Sequence, residues 1–202
     1  MREGEVVERG FTRAGALRAA FGGAVAAGGA AFVSRGGAGS VHAAPSHQTD
    51  TKILDFVLKL ELVQVAFYEA ALEARKLDGE ALQLALAVRE QERRHVAFLR
   101  NWLKGAASPA PKTNFGDAVS GRDAFVHAAV DLEEAAIAGY IGQSGHITRA
   151  TMVPIATLVS VEARQVAWLR DLAGVNPAPK AMDPPRKAED VMAFLRDKGY
   201  VS

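Results

Sequence analysis

The chain reads as one helical hairpin written twice, with acidic residues at equivalent places in each copy. Glu92-Arg93-Arg94-His95 is echoed by Glu162-Ala163-Arg164-Gln165. The two continue alike, as Val96-Ala97-Phe98-Leu99-Arg100 and Val166-Ala167-Trp168-Leu169-Arg170. Upstream, Leu60-Glu61 with Tyr68 seven places on is matched by Leu132-Glu133 with Tyr140 seven places on. The offsets nearly agree, at 72 residues from Glu61 to Glu133 and 70 from Glu92 to Glu162. Each copy therefore carries a lone Glu on its first helix and Glu-x-x-His or Glu-x-x-Gln on its second. Such a duplication leaves few folds open, because two like hairpins must bury like faces against each other.

Periodicity supplies the helices. Ser46 to Asp50 offers polar capping residues, and from Lys52 an apolar pattern at helical spacing runs to about Arg75, closed by Gly79. Leu54, Leu58, Glu61, Val65, Tyr68 and Leu72 form one stripe, so Glu61 interrupts an apolar face. A second helix is expected over Glu80 to Lys104, with Ala85, Val88, Glu92, His95, Leu99 and Leu103 inward and most arginines outward. The link from Gly105 to Gly121 is the only long one in the body, as a crossover between two hairpins requires. Ser120 and Asp123 cap a third helix, whose stripe is Val126, Ala129, Glu133, Ala136 and Tyr140. Glu134 lies on a neighbouring stripe; periodicity does not choose between it and Glu133, and the repeat alignment chooses Glu133. Gly142 to Gly145 reads as a break. A fourth helix then runs to about Leu172, with Pro154 starting or kinking it and Ile155, Leu158, Glu162, Gln165 and Leu169 inward. Residues 174–187 hold four of the eight prolines and read as a surface strap, followed by a short amphipathic helix from Ala188 to Lys198. The expectation is an all-α four-helix bundle over 50–173, with strap and short helix over 174–202.

Residues 1–43 have a different character. Arg9, Arg13 and Arg18 precede an apolar Ala/Gly-rich run from Ala19 to Val33, and Val41-His42-Ala43 offers a small-x-small cleavage pattern. This is the layout of a secretory leader, and the run is too short for a comfortable membrane span. Glu8-Arg9-Gly10-Phe11-Thr12 resembles a twin-arginine signal in which Glu8 stands where the first arginine belongs. The expected destination is the periplasm, cell envelope or outside of the cell. An uncleaved 19–33 segment acting as a membrane tether is the competing reading. In 202 residues there is no cysteine, which excludes disulfides, thiolate metal sites and cysteine nucleophiles. A net charge of +1 without an aromatic-basic cluster argues against nucleic acid as a partner.

Four glutamates on core-facing stripes require compensation, because an isolated carboxylate in a low-dielectric interior is costly. Few basic residues share those stripes. Two divalent cations would balance four carboxylates, and carboxylate with imidazole suits iron or manganese. Residues three apart on a helix lie side by side, so Glu92 and His95 can reach one ion. Taken singly, each residue has a plainer role: a boundary Glu that snorkels, a packed His, core tyrosines with bonded hydroxyls. His127, His146, Glu69, Glu73 and Glu134 call for no role beyond solvation or packing.

On these motifs, together with Pro177-Ala178-Pro179 in the tail, residues 50–173 resemble the ferritin-like superfamily, most closely its exported bacterial ferritin-like domain proteins. In ferritin-like di-metal bundles one Glu from each of two helices and Glu-x-x-His from each of the other two face inward. The resemblance implies a ferritin-like four-helix bundle with a di-iron or di-manganese centre. Glu61 and Glu133 would be terminal or bridging carboxylates, Glu92 and Glu162 bridging or chelating, and His95 a nitrogen ligand. Tyr68 and Tyr140 would sit beside the metals. Gln165 stands where di-iron enzymes carry a second histidine, which implies a firmer site at Glu61, Glu92 and His95 and a weaker one at Glu133, Glu162 and Gln165. The implied activity is oxidation of Fe(II), or reduction of oxygen or peroxide, in stress protection. The alternative is a non-enzymatic exported bundle with a degraded site, structural or partner-binding. A monomer or homodimer is expected, since the last helix is too short for the usual fifth cage helix.

Overall fold

The computed structural model describes residues 44–202. Four long helices make the bundle: α1 (His47–Glu73), α2 (Gly79–Leu103), α3 (Arg122–Gln143) and α4 (Arg149–Leu172); a short α5 (Ala188–Asp197) packs on its flank. The expectation of an all-α four-helix bundle with a short C-terminal helix holds. The only β feature among the described residues is an isolated bridge between Thr113 and Val201. The expectations for the leader at 1–43 lie outside the described residues.

Local chemistry sets the ends. α1 starts at His47, a turn earlier than its apolar stripe suggests, because the Ser46 hydroxyl accepts from the Thr49 amide at 3.1 Å. The α1–α2 turn uses Arg75 and Gly79 at φ 52° and 48°. α3 does not stop at Gly142 but continues through it to Gln143. Gly142 is there for packing: a Cβ at that position would lie 1.8 Å from the Arg186 carbonyl oxygen. The Arg186 amide donates to the Ala138 carbonyl at 2.8 Å, so the proline-rich strap presses its backbone onto α3. One turn earlier, a Cβ on Gly139 would crowd Phe56 and Val191, which is where α5 docks. Pro154 is accommodated inside α4.

The crossover decides how the helices run. Residues 104–121 begin where α1 begins, with the Ser108 amide and hydroxyl bonded to Asp55 at 2.7 and 2.8 Å. They end where α1 ends, with Phe115 against Phe67, which in turn stacks on Phe125 of α3 at 5.5 Å. The link thus travels the length of the bundle, which makes α3 antiparallel to α1 and brings the starts of α1 and α4 together. Asp50 secures that junction by accepting from the Thr148 amide, the Thr148 hydroxyl and the Thr151 hydroxyl at 2.8, 2.5 and 2.7 Å.

The core has an apolar layer towards each end. Leu54, Leu58, Leu99 and Leu158 lie on one side of the midplane; Phe67, Leu84, Phe125 and Leu169 lie on the other. Burial of each such side chain stabilises by about 1.5–3 kcal/mol. Those layers hold the helices close enough to enclose a polar midplane, which contains Glu61, Gln64, Glu92, His95, Glu133, Glu162 and Gln165, all buried. Among the described residues, no helix is long and apolar enough to cross a membrane.

Candidate metal centre

Every helix of the bundle contributes to the midplane. Glu61 and Gln64 come from α1, Glu92 and His95 from α2, Glu133 from α3, Glu162 and Gln165 from α4. All four glutamates are fully inaccessible, at 0% exposure. Glu134, by contrast, faces outward and pairs with Arg170 at 2.6 Å, which resolves the choice that periodicity leaves open.

The carboxylate oxygens divide into two groups. Three converge on one imidazole nitrogen: Glu61 Oε2, Glu92 Oε2 and Glu162 Oε1 lie 3.2, 3.1 and 3.0 Å from His95 Nδ1. One ligand atom from each of these four residues lies within 4.8 Å of the others, a grouping that could hold a metal ion. The other five oxygens each accept from a neutral donor. The Tyr140 hydroxyl donates to Glu61 Oε1, and the Gln165 amide donates to Glu92 Oε1 at 2.7 Å. Gln64 donates to Glu162 Oε2 at 3.2 Å and also to Glu133 Oε2, while the Tyr68 hydroxyl donates to Glu133 Oε1 at 2.7 Å. The tyrosines thus cross over, each one holding the lone Glu of the opposite hairpin.

Electrostatics follows from this crowding. Burial pushes all four glutamate carboxyls above the usual range, and neighbouring carboxylates add to it: Glu162 acts on Glu61 and Glu133, Glu61 on Glu92, and Glu92 on Glu162. Burial alone would lower the His95 value, but the close carboxylates of Glu162, Glu61 and Glu92 outweigh it and push the imidazole up to about 12. Burial, then the charge of Glu133, hold the Tyr68 phenol well above its ordinary value. Glu162 Oε1 sits 3.0 Å from His95 Nδ1 yet lacks hydrogen-bond geometry and has no other partner. A buried, unpartnered carboxylate oxygen aimed at a nitrogen and two further oxygens is a poor hydrogen-bond network and a good cation cradle. An N,O donor set of this composition fits iron or manganese.

The expected residues are placed as follows. Glu61, Glu92, His95 and Glu162 come together. Glu133 lies beside them but outside the converging group. Tyr68 and Tyr140 touch carboxylates by their hydroxyls. Gln165 turns its amide nitrogen, not its oxygen, to Glu92, and shares it with Gln91 at 2.9 Å. Sequence reasoning missed Gln64, having placed Val65 on the inward stripe. The available signal was its spacing: Glu61-x-x-Gln64 has the same form as Glu162-x-x-Gln165. Its counterpart in the second hairpin is Ala136, so the repeat gave it no support.

An apolar groove of about 410 Å³ opens between α3 and α4, and the buried Tyr140 lines it together with Ile155, Val159 and Ala163.

A four-helix bundle with a lengthwise crossover and an acidic midplane defines a class, and comparison of the sequence with family models agrees. The chain belongs to the ferritin-like domain family, whose model matches residues 49–175. No curated protein matches the chain.

Proposed function

We propose that this protein binds a redox-active divalent transition metal, iron or manganese, at Glu61, Glu92, His95 and Glu162, and uses it on oxygen or peroxide. The single observation that supports this most is the convergence of three carboxylate oxygens on His95 Nδ1 with no lysine or arginine among them. When bound, such a metal supplies electrons that carboxylates and imidazole cannot.

The chain's own residues have definable tasks. His95 presents Nδ1, and Glu61, Glu92 and Glu162 present one oxygen each. Tyr140 fixes Glu61, and Gln165 fixes Glu92, so those ligands are held before an ion arrives. Apolar layers on both sides exclude bulk water. The apolar groove is lined by Tyr140, whose hydroxyl reaches Glu61, and is the side from which a small apolar oxidant such as dioxygen would approach. We further propose that the protein is exported, on the leader-like pattern of residues 1–43, and that protection against oxidative stress is its setting.

A direct metal count tests the centre. Protein loaded anaerobically with Fe(II) or Mn(II) and then desalted should retain at least one equivalent, and His95→Ala should retain far less. Retention well below one equivalent by the native chain would sink the proposal. It would favour a structural or partner-binding bundle, a reading supported by the neutral donors already seated on five of the eight oxygens.

A further inference from the structure

We infer that this centre takes one cation and not two, because the Gln64 amide fills the second place. The inference rests on the metal centre proposed above and concerns how many ions it holds.

Glu61, Glu92, Glu133 and Glu162 together offer eight oxygens. A two-ion centre needs free oxygens around two points. Here three oxygens are free of neutral donors, and all three surround a single point next to His95 Nδ1. The second point would have to lie between Glu133 and Glu162, the carboxylates of the second hairpin. That position is taken by the Gln64 side-chain nitrogen, which donates to both of them. With Tyr68 on its other oxygen, Glu133 has a neutral donor on each of its two oxygens without any ion.

The amide's orientation follows from its surroundings. Two carboxylate oxygens demand a donor, so the NH2 end faces them. The carbonyl end, Gln64 Oε1, is left buried without a partner, and that is a real penalty. An unsatisfied amide oxygen is tolerated because the NH2 group does what a second cation would otherwise do: it bridges two carboxylates that repel each other.

Gln165 completes the pattern. Its amide nitrogen also points at a carboxylate, Glu92, and its oxygen is likewise without a partner. Both glutamine amides therefore act as donors to carboxylates, and neither presents an oxygen to a second ion. Gln64 is a specificity-determining residue that sets stoichiometry, and Gln165 is a positioning residue for Glu92.

Mn(II) titration decides the matter, with bound ions counted by elemental analysis and the spin signal read by electron paramagnetic resonance. The native chain should bind one equivalent and give the spectrum of an isolated ion. Gln64→Glu, which replaces the amide by a carboxylate, should bind two and give the broadened spectrum of a coupled pair. A merely structural role for Gln64 would change stability and leave the count at one. Two equivalents in the native chain, or an unchanged count in a folded Gln64→Glu protein, overturns the inference and leaves the metal centre standing. No binding by the native chain removes the centre itself, and this inference with it. The native count needs no variant, so a Gln64→Glu chain that fails to fold does not shield the idea.

Discussion

Two sets of carboxylates are buried in this bundle, and they are buried in opposite ways. At the junction of α1 and α4, Asp50 is 4% exposed and receives three hydrogen bonds from Thr148 and Thr151. Burial alone would raise its carboxyl, but those bonds, with His47 nearby, hold it below the ordinary aspartate value. At the midplane, four glutamates share one imidazole and a few neutral donors, and all four are pushed upward. An acid buried for structure is given enough donors to stay charged. The midplane acids are given too few, and the shortfall is concentrated at one point. A shortage of donors around convergent oxygens, more than burial itself, distinguishes a candidate binding site from a structural one.

Substitutions at the two places should separate them. The largest effect is expected from His95→Ala, which removes the only nitrogen at the convergence point. Mn(II) affinity measured by calorimetry should fall at least about a hundredfold, equivalent to about 2.8 kcal/mol, with helix content unchanged. Asp50→Ala should do the reverse. Affinity stays the same, and urea unfolding shows a loss of about 2 kcal/mol, since charge-assisted bonds to the start of α4 are lost. If Asp50→Ala weakened metal binding as strongly as His95→Ala, the division between the two regions would be wrong.

A smaller effect is expected at Glu133, which neighbours the centre but lies outside the convergent group. In metal-free protein Glu133→Gln takes one ionisable carboxyl out of a crowd of like groups, so stability should rise by about 1 kcal/mol. The count of bound Mn(II) should not change. A drop in stability would show that the native carboxylate is better satisfied than its neighbours' repulsion implies.

The smallest effect is in pH dependence. Because the folded value of Asp50 lies below its unfolded one, its contribution is present above the unfolded value of 3.8 and is lost as pH falls through the folded value. Thermal midpoints of the native chain should therefore drop more steeply below that pH than those of Asp50→Asn. The difference is at most about 1.4 kcal/mol per pH unit, for one proton. Parallel curves would mean that Asp50 is not specially stabilised as an anion.

Much of the fold was legible in the residues. Stripes at helical spacing, glycines between them and a single long proline-containing link specify two hairpins and a crossover, because helix period and loop length are local properties. The extent of α3 was less legible. Gly142 reads as a breaker, yet it lies inside the helix, since what requires glycine there is the Arg186 backbone far along the chain. Asp50 reads as a capping residue of its own helix, and its partners at Thr148 and Thr151 follow only once the crossover has aligned α1 with α4.

The sequence by itself determined that four acids from a duplicated hairpin would share the interior, since repeat spacing and the apolar stripes both place them there. It also separated Glu133 from Glu134. Only the tertiary structure decided how their oxygens divide, with three beside His95 Nδ1 and five held by Tyr68, Tyr140, Gln64 and Gln165. The physical reason is that spacing along a helix fixes which face a residue occupies. Which donor meets which oxygen depends on the separation and rotation of all four helices at once.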